Sequence, residues 1–348
     1  MNSASSWLRP TLPIAAIFAC RMLGLFMLIP IFSVYGQQLT DATPVLIGIA
    51  LGAYGFTQGL MQMPFGMILA RCIQGFGAIG SVLIALLADI IEDENRPKSM
   101  AIIGVSIGIS FALAMILSPI IAEHYGLSGI FSFTTGLIFI AFILVITIIP
   151  QPKTCQPRPF NPALIKECLI KPELLNCHMG IFGQHLILTS SFFAIPLMLK
   201  AANISLHSFY LSLMSIAFLC MMPLIHWAER HKARPRLFKM SIIGLCLSQL
   251  FLIVIPHHYY SLWTVLLLYF ISFNILEALF PSMIASAAEP SLKGTATGIY
   301  SSAQFLGIFS GGIIAGLLYK YLGTTGIFSL NSLLALSYLS LQQRLKTH

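Results

Sequence analysis

The chain has 348 residues, of which 57% are hydrophobic and only 9% are charged, with a mean hydropathy of +0.88 and a formal net charge of +8. Soluble domains carry about 25% charged residues, so this composition excludes a soluble domain and predicts an integral membrane protein made of helices. The basic residues lie in short segments between apolar stretches, which indicates membrane topology rather than binding to nucleic acid.

The seven cysteines form no CxxC pair, and most of them lie inside apolar stretches, where cysteine behaves as a small hydrophobic residue. This pattern favours neither a disulfide framework nor a thiolate metal site. We therefore expect no metal and no cofactor. The cysteines are Cys20, Cys72, Cys155, Cys168, Cys177, Cys220 and Cys246.

The first apolar stretch, residues 11–35, is too long for the core of a signal peptide, and no small-residue cleavage site follows it. It therefore predicts a first membrane span that is retained. A polar turn, residues 36–43, separates it from the next apolar stretch.

Residues 44–90 form one apolar stretch of 47 residues, which we call the seam. As a helix it would reach about 70 Å, more than twice the roughly 30 Å core of a bilayer. Pro64, Gly66 and Arg71 interrupt it, and it contains no polar loop. Three arrangements stay open: two crossings, a single crossing that leaves about half of the stretch unaccommodated, and a helix broken between Pro64 and Gly66.

The longest polar segment after the seam, residues 151–173, is rich in Pro and Lys and predicts a cytoplasmic linker. It divides the chain into a first helical bundle, residues 1–150, and a second, residues 174–348. With two spans in the seam, five spans precede the linker and six follow it. The spans predicted beyond the seam are residues 99–122, 129–150, 174–199, 207–228, 237–255, 261–288, 294–319 and 325–341.

Lysine and arginine are distributed unevenly between the two ends of these spans. One set of loops holds 14 of them and the opposite set holds 2. Because cytoplasmic loops carry the excess of basic residues, the linker and the C-terminus are predicted to be cytoplasmic. The side of the N-terminus depends on how often the seam crosses.

The two halves look like weak repeats with a gap in the first. Pro64 and Pro223 both follow a methionine late in the second span of their half, and they are 159 positions apart. Lys98 and Lys293 both begin a fifth span, and they are 195 positions apart. The difference between 195 and 159 is 36 residues, about one helix with its loop. The comparison predicts that the first half lacks one span.

Six segments of the chain form a recognisable set. They are ACRMLGLFMLIPIFSVYG from Ala19, MQMPFG from Met61, ARCIQGFGAIG from Ala70, ADIIEDENRPKSMAIIGVSIGISFALAMILSPI from Ala88, NILEALFPS from Asn274 and KGTATGIYSSAQFLG from Lys293. Together they resemble the major facilitator superfamily, and most closely its YajR-like branch of proton-driven drug-efflux transporters. The resemblance implies an all-α polytopic protein of the bacterial inner membrane, with two helical bundles and about 11 spans instead of 12.

The chain also departs from the pattern of that family. A signature loop of the type Gly-x-x-x-Asp-Arg should begin at Gly66, but Met67 to Ala70 follow and lead directly into the segment that resembles the fourth span. The third span and its preceding loop are therefore expected to be missing. The soluble C-terminal domain of the YajR-like branch is also expected to be missing, and a Gly-Pro pair of the fifth span reads Ser118-Pro119.

Three ionisable residues are candidates for proton coupling, because a charge inside hydrocarbon is costly unless it is paired or hydrated. Glu277 is the one acid deep within a predicted span of the second half. A carboxyl group enclosed in such a place can load and release a proton near neutral pH, although a neutral, structural Glu277 is the alternative. Arg21 lies in the first span, where a structural anchor is equally compatible. The resemblance links Arg71 to proton transfer, with an interfacial charge as the alternative.

Several polar and aromatic side chains lie at helical spacings that predict a substrate cavity. His178 and His185 are seven residues apart on one helical face, and Asn274 lies three residues before Glu277. Helix packing is the alternative for each, and no third ligand supports a metal site. The cavity residues are Tyr35, Tyr54, Gln58, Gln62, His178, His185, Asn274 and Gln304.

The basic segment from Glu229 to Arg236 follows the eighth predicted span. It stands where the second half should carry its own copy of the signature loop. One interpretation is that the segment only reflects the excess of basic residues in cytoplasmic loops. The more specific interpretation is a gating loop that holds the two halves together through Arg230, Arg234 and Arg236.

These patterns predict a transporter that acts as a monomer in the lipid bilayer and moves a small amphipathic molecule out of the cytoplasm in exchange for protons, by alternating access. The alternative is a transport-dead relic that an in-frame deletion has produced. An intramembrane enzyme with His178 or His185 as a base is disfavoured, because neither a nucleophile nor a paired acid accompanies them. We expect no enzymatic activity.

Overall fold

The computed structural model describes residues 8–35, 43–49, 83, 86–87, 90–91, 96–149, 162–255, 257–289 and 292–344. Within these ranges the secondary structure is helical, which confirms the predicted all-α fold. The helices are α1 Leu8–Phe26, α2 Phe32–Tyr35, α3 Arg96–Thr147, α4 Pro162–Ile170, α5 Pro172–Ala201, α6 Leu206–Arg230, α7 Arg234–Val254, α8 Tyr259–Ala287 and α9 Lys293–Arg344.

Seven of the described helices are long and apolar enough to cross a membrane, namely α1, α3 and α5 to α9. Most of the seam, including Met61 to Gly80, lies outside the described residues. The predicted count of eleven spans therefore stays a prediction.

Helices α3 and α9 are both 52 residues long and each contains a single glycine that breaks the helix. Gly126 has φ 61° and ψ −159°, and Gly323 has φ 64° and ψ −158°. Only glycine adopts this backbone conformation without strain, so each glycine forms a kink between two helical segments. The two glycines are 197 positions apart, and so are the first residues of the two helices. The same helix–glycine–helix unit thus occurs in both halves.

The chain divides into two compact units, Met1–Ile31 with Gly77–Phe160, and Phe32–Phe76 with Asn161–His348. In the first unit, hydroxyl groups join α1 to α3. Thr11 Oγ1 lies 2.9 Å from Ser99 Oγ, and Ser110 Oγ donates to the carbonyl of Ala19 at 3.0 Å. Small hydroxyl side chains allow close helix packing in membranes and satisfy their own polar groups.

In the second unit, α5 is the central helix, and most of its side chains are buried. It packs along α9, where Gly307 lies against the carbonyl of Phe182 and Gly311 against that of Leu186. The linker predicted at 151–173 contains the short helix α4, and α5 begins directly after it. The glycines of α9 explain how α5 and α9 approach so closely.

Replacing Gly311 with alanine is expected to destabilise the protein by about 1–3 kcal/mol, because an added Cβ lies 2.5 Å from the carbonyl oxygen of Leu186, and backbone atoms cannot move aside. Thermal unfolding of the purified protein in detergent measures the effect. The matched control is Gly294→Ala on the same helix, where no atom of the described structure lies within 4 Å of the added Cβ. If Gly311→Ala and Gly294→Ala unfold at the same temperature, the result contradicts the close packing of α5 against α9 at Gly311.

Candidate functional site

Four polar side chains from three helices meet inside the second unit. They are Gln184 and His185 of α5, Glu277 of α8 and Gln304 of α9, and we call them the Glu277 cluster. Gln184 Nε2 donates to Glu277 Oε2 at 3.1 Å, and Gln304 Nε2 donates to Glu277 Oε1 at 3.4 Å. His185 Nε2 lies 3.7 Å from Glu277 Oε2. The structure therefore brings together three residues that the sequence singled out.

The hydrogen bonds of His185 fit a neutral imidazole ring. Gln304 Nε2 lies 2.8 Å from His185 Nε2, and His185 Nδ1 lies 3.3 Å from the carbonyl oxygen of Ile181. An amide N–H donates and a carbonyl oxygen accepts, so the proton of the ring is assigned to Nδ1 and Nε2 accepts. The ring also packs edge-on against Phe273, with centroids 5.9 Å apart.

Glu277 faces neutral hydrogen-bond donors rather than a fixed positive charge. Within the described part of the chain, no lysine or arginine lies within ion-pair distance of its carboxyl group. Amide N–H groups stabilise a carboxylate, yet they leave it able to accept a proton without breaking an ion pair. The Glu277 side chain as a whole is 31% exposed, so it is half-buried. The arrangement can hold a proton and release it.

Gln184 is the member of the cluster that the sequence analysis missed. It bridges α5 and α8, because its Nε2 also donates to the carbonyl of Phe273 at 3.2 Å. Its Oε1 is buried and has no hydrogen-bond partner among the described residues. The available signal was an amide side chain directly before His185, inside a predicted span.

Two other predicted cavity residues lie near this cluster along the chain but do not join it. His178 is 4% exposed, and neither ring nitrogen has a hydrogen-bond partner in the described ranges. Asn274 is 7% exposed, and its Nδ2 has no partner there either. Tyr35 ends α2, in the second unit. Tyr54, Gln58, Gln62 and Arg71 lie outside the described residues.

Arg21 lies in α1, in the first unit, with its guanidinium group 5.9 Å from the ring centroid of Phe18. Its Nη1 is 4.0 Å from Met22 Sδ. Cation–π contact with an aromatic ring is one way to keep a guanidinium group in an apolar environment. The structure places Arg21 on a half-buried face of α1.

The predicted gating loop connects α6 to α7. Arg230 ends α6 and Arg234 begins α7. Arg234 Nη2 forms an ion pair with Glu229 Oε1 at 2.9 Å across the turn, and Arg236 is exposed. The ion pair closes the loop on itself, while the two other arginines stay available at its surface.

A second polar network, formed by Ser190, Ser191, Gln249 and Asn331, lies in the core of the second unit. Asn331 Nδ2 donates to Gln249 Oε1 at 2.9 Å and to Ser191 Oγ at 3.2 Å, while its Oδ1 accepts from Ser190 Oγ at 2.8 Å. All four residues are at most 1% exposed. The network joins α5, α7 and α9. The sequence analysis did not identify it, because the residues of α5, α7 and α9 that bond to each other are far apart along the chain.

The linker helix α4 is tied to the end of α8 by Lys171. Lys171 Nζ lies 2.8 Å from Glu167 Oε1 and 2.6 Å from Glu289 Oε1. Hydrogen bonds to Glu167 and then Glu289 raise the pKa of Lys171 above its ordinary value. A raised lysine pKa keeps the ammonium charged throughout the physiological range, so these exposed contacts are not lost until strongly alkaline pH.

Solved structures share the fold of this chain. The human organic anion transporter MFSD10 aligns over 97% of this chain and 99% of its own, with a TM-score of 0.67 and 15% identity. The POT-family transporter PepTSo aligns over 98% of this chain and 99% of its own, with a TM-score of 0.70 and 12% identity. At these identities the likeness shows the fold alone.

Curated relatives are similar in sequence along most of the chain. The inner membrane transport protein YajR of Escherichia coli strain K12 is 33% identical over 97% of this chain and 83% of the relative. An uncharacterised transporter of Buchnera aphidicola from Schizaphis graminum is 31% identical over 92% of this chain and 93% of its own. The resemblance to the YajR-like branch is confirmed.

These alignments also contain positions that the chain lacks. The alignment with YajR runs over 378 positions but uses 97% of 348 residues, or about 338, so about 40 positions of YajR have no counterpart here. For the Buchnera relative the alignment runs over 362 positions and uses 92% of this chain, or about 320 residues. About 42 positions of that relative therefore have no counterpart here. Both values are close to the 36 residues that the comparison of the two halves predicts to be missing.

The family comparison covers both halves. The pattern of the Major Facilitator Superfamily matches residues 14–312 and 227–341. Family, relatives and fold agree, and they point to transport rather than catalysis. The chain is a multi-pass membrane protein that belongs to the major facilitator superfamily of transporters.

Proposed function

We propose that the chain exports a small amphipathic molecule from the bacterial cytoplasm in exchange for protons, and that Glu277 carries the proton. The observation that carries this proposal is the Glu277 cluster. Glu277 lies ten residues before the end of α8, or about 15 Å along the helix, which corresponds to the middle of a bilayer core. A carboxyl group at that depth, held by amide donors alone, is suited to a reversible proton load.

Gln304 links the state of the carboxyl group to the position of α9. When Glu277 is ionised, its hydrogen bonds to Gln184 and Gln304 are charge-assisted and stronger. When it is protonated, those bonds weaken, and the carboxyl O–H becomes a donor that competes with the Gln304 amide for the single lone pair of His185 Nε2. Loading a proton therefore changes the forces among α5, α8 and α9, and this change biases the alternating states of the two bundles.

Transport by the purified protein tests the proposal. The chain is reconstituted into liposomes with ethidium as an amphipathic probe, and a pH gradient is imposed across the membrane. Ethidium is expected to accumulate on the acidic side, because protons that move down their gradient drive the dye the other way. Liposomes with correctly inserted protein that move no ethidium, and none of a panel of similar dyes, would reject the transporter.

A transport-dead relic is the second candidate, and the 40 or so aligned positions without a counterpart support it. A missing third span would leave the first bundle incomplete, while the second unit keeps its packing and its polar cluster. This candidate predicts a protein that folds in the membrane, yet does not turn over.

Restoring the missing segment separates a defective seam from a fault elsewhere. We expect that inserting about 36 to 40 residues of YajR that have no counterpart in this chain, placed after Gly66, raises ethidium transport at least tenfold if the seam is the lesion. The control carries a shuffled segment of equal length and composition at the same place. Equal transport with the true and the shuffled segment would show that the gap is not what limits activity.

A further inference from the structure

Helix α7 carries an exposed apolar stripe that ends in a basic residue. Met240, Leu247, Phe251 and Val254 recur at helical spacing on one face, and their side chains are between 40% and 74% exposed. Arg236 is exposed on the same face, one turn before Met240. At about 1.5 Å per residue, the stripe from Arg236 to Val254 is about 27 Å long, close to the roughly 30 Å core of a bilayer. An exposed apolar stripe of this length faces the acyl chains of the lipid.

The neighbouring helix α6 has the same arrangement at its end. Leu219 is 72% exposed, and Arg230, three helical turns further along the same face, is exposed as well. Trp227 lies in the last turn of α6, half exposed, with its ring 5.3 Å from the ring of His231. Tryptophan is enriched at the level of the lipid headgroups, so Trp227 indicates that the basic ends of both stripes lie at that level.

The turn between α6 and α7 is short and closely bonded. Helix α6 ends at Arg230 and α7 begins at Arg234. Lys232 adopts a left-handed backbone conformation with φ 52°, and the N–H of Ala233 donates to the carbonyl of Ala228 at 2.7 Å. A turn of three residues cannot extend far from the helix ends, so its charged side chains stay beside the membrane surface.

The acidic residue of this turn neutralises only one of its cations. Glu229 is paired with Arg234 at 2.9 Å. Lys171, at the start of α5, is likewise paired, with two glutamates. Among the residues that the structure describes, no acidic side chain lies within ion-pair distance of the four other cations at the α6–α7 turn, which are Arg230, Lys232, Arg236 and Lys239. These four exposed side chains form an unneutralised basic surface at the headgroup level.

We infer that this basic surface binds anionic glycerophospholipids of the leaflet that the basic loops predict to be cytoplasmic. The guanidinium groups of Arg230 and Arg236 bind phosphate oxygens, while the acyl chains lie along the exposed apolar stripes of α6 and α7. Positive-inside topology explains the side on which the turn lies, and the unpaired cations beside a lipid-facing stripe add a ligand for that side. The inference goes beyond the proposed transport and does not depend on Glu277.

Quenching of Trp227 fluorescence by brominated lipids tests the surface without requiring transport. The full-length chain carries Trp7→Phe and Trp263→Phe, so that Trp227 is its single tryptophan, and is reconstituted into phosphatidylcholine liposomes. Brominated phosphatidylglycerol should quench Trp227 more strongly than an equal fraction of brominated phosphatidylcholine. Arg230→Gln and Arg236→Gln should each lower the binding constant of phosphatidylglycerol relative to phosphatidylcholine about fivefold, because a basic residue near an anionic membrane surface contributes about 1 kcal/mol.

The matched control is Lys293→Gln, which removes one exposed cation at the start of α9, on the same predicted side of the membrane. It should keep the relative binding constant of the unsubstituted surface. Equal quenching in Arg230→Gln, Arg236→Gln and Lys293→Gln would overturn the inference, and so would equal quenching by the two brominated lipids before any of these changes. Complete displacement of brominated phosphatidylglycerol by soluble glycerol phosphate would show a site for free phosphate instead of lipid.

Discussion

Replacing Glu277 with glutamine is expected to lower proton-driven ethidium movement at least 100-fold, the scale on which a positioned proton carrier contributes. Glutamine has nearly the same size, and its amide oxygen accepts a hydrogen bond from either Gln184 or Gln304, but it cannot load or release a proton. The measurement is initial transport rate in liposomes with an imposed pH gradient. Thermal unfolding should change little, because the cluster keeps its packing.

The control for this prediction is Glu123→Gln, the same chemical change at an exposed position on α3. It should transport at the wild-type rate. If Glu277→Gln also transports at that rate under the pH gradient, Glu277 does not couple the proton. If both variants fail equally while remaining folded, the effect is not specific to the cluster.

Replacing Asn331 with leucine is expected to destabilise the second unit by about 2–3 kcal/mol, measured by thermal unfolding in detergent. Three buried hydrogen bonds are lost, and interhelical bonds in membranes average about 0.6 kcal/mol and reach about 1.7 kcal/mol each. Gln249 then has a buried amide oxygen with fewer donors, which adds a desolvation cost.

Two variants make this prediction specific to the network. Ser332→Ala is the control, because Ser332 is equally buried on the same helix and its hydroxyl bonds only within α9, to the carbonyl of Phe328. The double variant Asn331→Leu/Gln249→Leu should recover part of the loss, since removing both partners leaves fewer unsatisfied groups. Equal stability of Asn331→Leu and Ser332→Ala would contradict the network.

The fold follows from the sequence because lipid imposes a simple rule. A stretch of about 20 apolar residues must form a helix, since its backbone groups cannot bond to water in the bilayer. The sequence did not reveal that residues 123–128 and 320–324, predicted as loops, are helical apart from one glycine in each that kinks the helix. Glycine also lets helices pack closely in membranes, and only backbone geometry distinguishes Gly126 and Gly323 from the packing glycines of α9.

The candidate site was only partly predictable, and charge explains the difference. Glu277 stands out in the sequence because an acidic side chain inside hydrocarbon is costly and is therefore a candidate for a functional role. His185 and Gln304 were at helical spacings that predicted a cavity. Gln184 is uncharged, and the residue it bonds is 93 positions away, so its role emerges only when α5 and α8 meet. The same reason hides Gln249 and Asn331, whose partners lie on other helices.

The most direct test of proton coupling at Glu277 is to record the internal pH of liposomes that contain the purified chain, with a gradient of ethidium and no initial pH gradient. The account predicts that dye flow generates a pH gradient of opposite direction in the wild type. In Glu277→Gln, ethidium should continue to move down its own concentration gradient without any change in the internal pH. Dye flow that leaves the pH unchanged in the wild type, or a pH change that survives in Glu277→Gln, would contradict it.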